Sequence, residues 1–135
     1  MNSIFSYSDD IVDTNALFAK LKELLPKAKG VESVTVLKEF TALAYKDHEM
    51  NVKFEFACPH IISLSYKGNE WVSIDDDEFG ITLGNDTEEK AMLDYICYLD
   101  YFWEDYVAKD LSGRKMTQKL KEKIEAIKSK VIKLW

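Results

Sequence analysis

Apolar and polar positions change period twice along this 135-residue chain. From Leu17 onward, Leu17, Phe18, Leu21, Leu24, Leu25 and Ala28 recur at helical spacing, with Lys20, Lys22 and Glu23 on the other side. Asp13, Thr14 and Asn15 offer capping side chains ahead of this run. Pro26 fits badly inside a helix because it lacks the backbone N–H, so the helix is expected to stop near Leu25. Before it, Ile4, Phe5 and Tyr7 suit either a short strand or a patch lying on the core.

The period then drops to two. "VESVTVLKEFTALAYKD" is rich in β-branched and aromatic residues, which pack well on a pleated surface. "MNVKFEFAC" puts Met50, Val52, Phe54, Phe56 and Cys58 on one side and Asn51, Lys53 and Glu55 on the other. "IISLSY" and "EWVSI" read as the next two strands, joined by the hairpin connector Lys67-Gly68-Asn69. "FGITLG" is a fifth candidate. Such short connectors imply an antiparallel meander, since parallel pairing needs long crossovers.

Helical spacing returns after residue 85. Asp86 followed by Glu89 reads as a capping box, and Met92, Tyr95, Ile96, Leu99, Phe102, Trp103, Tyr106 and Val107 share one broad face. Gly113 interrupts the run. A last helix then carries Met116, Leu120, Ile124, Ile127, Val131 and Leu134 on one stripe. The expected fold is therefore α+β: an N-terminal helix, a four- or five-stranded antiparallel meander, and two C-terminal helices packed on one sheet face. A chain of this length makes one domain, residues 1–135, with no internal repeat or linker.

Composition narrows the class. With 47% hydrophobic residues, five Gly and two Pro, the chain is neither disordered nor of low complexity. The start "MNSIFSYSDD" has no basic or long apolar region, so a signal peptide is not expected. Acids break the apolar runs, as in "AMLDYICYLDYFWEDYV", so no membrane span is expected. Cys58 and Cys97 lack CxxC spacing and read as reduced thiols in a cytoplasmic protein, with Cys58 buried at a strand end.

Charge adds the sharpest feature. Residues 75–110 hold 12 acidic and 2 basic residues, while residues 111–135 hold 8 basic and 2 acidic ones. A net charge of −6 argues against direct nucleic-acid binding or docking on an anionic membrane. An acidic middle and a lysine-rich tail instead suggest charge balance between neighbouring helices.

The acidic run "DDDEFG" partly matches a calcium loop. Counting Asp75 as position 1 puts Asp77 at 3, Gly80 at 6 and Asp86 at 12. Phe79 at 5 offers no oxygen, and position 12 calls for a bidentate Glu. The flanks also read as strands, so a solvated turn is expected and no metal is assigned. Cys58 and His60 flank Pro59, but the lone cysteine falls on the apolar side of its strand, so no catalytic residue is assigned. No phosphate-binding glycine loop occurs, and no cofactor is implied.

What remains is a surface. Asp94, Tyr101 and Asp105 line up along one helix edge, with Tyr98 and Glu104 beside them, and Asp75, Asp76, Asp77 and Glu78 form the acidic turn. These nine residues are the candidate partner-binding set. The expectation is a non-catalytic binding protein whose acidic, tyrosine-bearing face occupies a basic site on a protein partner. Inhibitors of nucleic-acid enzymes and immunity proteins, including phage-encoded ones, work in this way by covering cationic surface. The alternative is a small-ligand-binding domain or enzyme with a pocket between sheet and helices. Trp135 either docks on the core or belongs to an interface.

Overall fold

A computed structural model of the chain describes residues 4–7 and 33–135. The elements are β1 (Ile4–Tyr7), β2 (Val34–Lys46), β3 (Asn51–Lys67), β4 (Trp71–Asp76) and β5 (Ile81–Asn85), then α1 (Glu88–Phe102), a π-helical turn (Trp103–Val107), α2 (Gln118–Lys130) and β6 (Val131–Lys133). The strands lie in the order β1-β2-β3-β4-β5, every neighbouring pair antiparallel, and β6 joins β3. An antiparallel sheet with two helices is an α+β fold. The helix expected over residues 17–25 lies outside the described residues.

The two strands expected at 50–58 and 61–66 are one strand of 17 residues. Phe40 pairs with His60 and Ala42 pairs with Glu55, so Thr41 alone stands opposite residues 56–59. This bulge takes up Pro59, which cannot donate to a ladder. It also overturns the burial expected for Cys58: the chain loops outward there, and Cys58 is exposed. Beyond the bulge the alternation resumes in phase, with His60, Ile62, Leu64 and Tyr66 turned inward.

Thr87, rather than Asp86, caps α1. Its hydroxyl accepts from the Lys90 amide at 3.1 Å. Glu88 in the first turn is anchored to the sheet: the Tyr66 hydroxyl donates to it, and the buried Lys38 ammonium lies 3.9 Å away. A carboxylate suits this end of a helix, where unpaired amides carry positive charge.

The last helix ends at Lys130 and does not reach Leu134. Val131–Lys133 extend along residues 54–56 of β3 instead, and the Leu134 amide donates to the Lys53 carbonyl at 2.8 Å. Val131 and Ile132 are β-branched, and the edge of β3 beyond β4 leaves its amides and carbonyls in need of partners. Trp135 accepts from the Lys53 amide at 2.6 Å, and its side chain stays half exposed.

The inward residues of β2 to β5, the buried side of α1, and Ile124, Ile127 and Val131 form one core. On the outward sheet face the Trp71 indole lies across Gly84, where an added Cβ would stand 2.7 Å from Nε1. Glycine is required there for that close approach.

Candidate functional site

The acidic turn is built inward as much as outward. Val72, Ile74 and Asp76 share the buried side of β4, so the strand's own alternation carries Asp76 into the core, where it is 2% exposed. Its Oδ2 lies 2.7 Å from His60 Nε2 and accepts from the Tyr95 hydroxyl. Its Oδ1 accepts from the Phe79 amide at 2.9 Å, which closes the turn that Gly80 completes with a φ of 65°. Asp76 therefore does not belong to an accessible acidic face, and its place in the candidate set is corrected.

Burial alone would push the Asp76 carboxyl up. The hydrogen bonds from His60, Tyr95 and the Phe79 amide outweigh it and hold the carboxyl below its ordinary value. Burial pushes the Tyr95 hydroxyl well up, and the neighbouring Asp76 charge pushes it further. Tyr95 is thus a neutral donor and Asp76 a charged acceptor.

His60 is packed against aromatic rings. Phe56 and Phe79 lie nearly parallel to its ring, with centroids at 5.1 and 4.2 Å, and their own centroids are 6.4 Å apart. Phe40 meets it at 5.7 Å. α2 fastens the same turn from outside. Lys130 of α2 lies 3.0 Å from Glu78, and Lys123 donates to the Gly80 carbonyl at 3.2 Å while sitting 4.6 Å over the Tyr98 ring.

The remaining members of the candidate set are spread over separate surfaces. Asp75 faces outward on the sheet and accepts from Thr82 at 3.1 Å. Asp77 is exposed at the turn. Glu78 is taken by Lys130, and Tyr98 is half-buried beneath Lys123, to which its hydroxyl is hydrogen-bonded. On α1, by contrast, Asp94 and Tyr101 share an exposed strip with Cys97, and Glu104 and Asp105 continue it into the π-helical turn. Tyr101 is 65% exposed, and its hydroxyl is held by Asp105, whose charge raises it above its ordinary value.

The lysine-rich tail offsets part of this charge. Lys133 meets Asp100 at 2.5 Å and Glu104 at 3.6 Å; Lys109, within the acidic segment itself, meets Asp105 at 3.6 Å. Asp94 accepts from the Asn85 amide at 2.8 Å, and no ion pair of 4 Å or less joins it to a described lysine or arginine.

Both thiols are exposed, and both are expected to react with a maleimide in the folded protein. Cys97 should react more slowly than Cys58. Partial burial and the charges of Asp94 and Asp100 raise its thiol and keep thiolate scarce. Timed mass spectrometry of labelled peptides reads the two rates.

Among the described residues no group of three or more His, Cys, Asp or Glu is placed to hold a metal, and no helix is long and apolar enough to cross a membrane. A groove of about 500 Å³ runs between the end of α1, the loop after it and α2. Val107, Leu111, Met116 and Ile124 line it, with Lys121 and Lys128 at its rim. Comparison with protein families, curated proteins and solved structures finds no match to the chain.

Proposed function

We propose that this chain is a non-catalytic binding protein that engages a basic protein partner through the exposed strip of α1. The observation that carries the reading is Tyr101, an aromatic ring left 65% exposed between Asp94 and Asp105. Exposed tyrosine offers contact area at little entropic cost, and flanking carboxylates steer a cationic surface onto it. The turn acids contribute less, because Asp76 is inside and Glu78 is paired.

A lysine-rich peptide of about ten residues serves as the probe. Asp94→Lys combined with Tyr101→Ala is expected to weaken its binding at low salt by about tenfold or more, a loss of roughly 1.4 kcal/mol or greater. Both positions are exposed, so stability should stay within about 0.5 kcal/mol of the parent. Binding by the parent should fall steeply as salt rises, because exposed charges are screened beyond about 10 Å at 0.1 M. Unchanged affinity of the double variant would rule out the strip.

The groove beside α2 favours a second reading, a binder of small ligands. Its lining residues come from the π-helical turn, the loop after it and α2. Retention of a small molecule through purification, seen by native mass spectrometry and lost in Met116→Lys, would support it.

A further inference from the structure

Among the described residues, His60 Nδ1 is a buried polar atom with no hydrogen-bond partner. It faces Glu78 Oε1 at 3.9 Å, and that same oxygen is held by Lys130 at 3.0 Å. We propose that His60 is a proton-operated clasp: when its imidazole takes a proton on Nδ1, Glu78 closes onto it and ties the β4–β5 turn, the core and α2 together.

The geometry fixes the proton's place. Asp76 is an all-acceptor carboxylate that already receives Tyr95 and the Phe79 amide, so the 2.7 Å contact to Nε2 requires the hydrogen to sit on Nε2. The neutral ring then presents a lone pair on Nδ1 to a carboxylate oxygen, and two acceptors cannot bond. A proton taken from water converts Nδ1 into a donor. The ring is packed against Phe40, Phe56 and Phe79 and held at Nε2 by Asp76, so the half-exposed Glu78 is the group that moves to the ring. Closing to a charge-assisted contact of about 2.8 Å needs a shift of about 1 Å. Other groups facing the ring are Asp76 from β4 and Phe40 from β2, with Tyr95 of α1 reaching it through Asp76 and Lys130 of α2 through Glu78. The signal passes to α2 through the carboxylate that His60 and Lys130 share.

The full chain labelled with nitrogen-15 tests this by NMR between pH 8 and pH 5, the range in which histidine gains its proton. At pH 8 the His60 ring should show the Nε2–H tautomer. As it gains a proton, the amides of Glu78, Phe79 and Gly80 and those around Lys130 should shift with the same midpoint. His48→Gln, at a position exposed beside Glu49, serves as the reference and should leave the α2 shifts unchanged. In Glu78→Gln the α2 shifts should shrink several-fold while the spectrum stays folded. A His60 ring unchanged over this range, an Nδ1–H tautomer at pH 8, or α2 shifts that persist in Glu78→Gln would each overturn the clasp.

Discussion

Asp76→Ala is expected to destabilise the fold by about 3–5 kcal/mol, the range for removing one partner of a buried charged cluster. Three donors converge on this carboxylate: His60, the Tyr95 hydroxyl and the Phe79 amide. Alanine would leave all three without an acceptor where water does not reach. It would also free the turn that seats Phe79 against His60. Domains of this size carry only about 5–15 kcal/mol in total, so the loss is a large share. Asp76→Asn should cost less, about 1–3 kcal/mol. Its amide can donate to His60 Nε2 while its oxygen accepts from Phe79, which would drive the ring to the Nδ1–H tautomer facing Glu78. Urea unfolding of the two variants beside the parent reads the difference. Equal and small losses would mean that the carboxylate is not the anchor of the turn.

The second large effect is a stability window in pH with both flanks set by the same cluster. The Asp76 carboxyl lies below its ordinary value, so its contribution is complete above the unfolded value of about 4 and is lost as the pH falls through the folded one. The Tyr95 hydroxyl lies well above its ordinary value. Its contribution is complete below about 10 and is lost as the pH rises, because the unfolded chain gives up that proton first. Unfolding free energies from pH 2 to pH 11 should fall at both ends. Tyr95→Phe should lose about 1–3 kcal/mol near neutrality, where Asp76 forfeits a donor, and its alkaline decline should be shallower than that of the parent. An identical alkaline slope in both proteins would remove Tyr95 from the account of that flank.

Much of the sheet was legible in the chain. Alternation in "MNVKFEFAC" places Val52, Phe54 and Phe56 inside as observed, and the hairpin connector expected at Lys67-Gly68-Asn69 lies one residue on, at 68–70. The polar centre was readable too, had the alternation been carried further. Val72 and Ile74 point to Asp76, and Ile62 and Leu64 point back to His60. Three neighbouring acids disguised Asp76 as part of a solvated turn. What alternation could not reveal was the bulge at 56–59, because a bulge swings residues 57–59 outward and then resumes in phase. The end of α2 was hidden for a different reason. Ile124, Ile127, Val131 and Leu134 keep helical spacing through a point where the open edge of β3 draws the chain into a strand. Long-range pairing decided that boundary, and local pattern does not carry it.

The candidate surface was legible only in part. Helical spacing placed Asp94, Tyr101 and Asp105 on one edge. Charge balance between the acidic segment and the lysine-rich tail was legible, but not which pairs form: Lys130 with Glu78, Lys133 with Asp100, and Lys123 over Tyr98. Charge counted along the chain overstates the acidity of the folded surface for that reason.

The most direct measurement is an NMR titration of the labelled chain with the lysine-rich peptide at low salt. The amide shifts should cluster at Asp94, Cys97, Tyr101, Glu104 and Asp105 and fade together as salt is added. Shifts centred on the outward sheet face around Asp75 and Asp77, with the α1 strip silent, would contradict it.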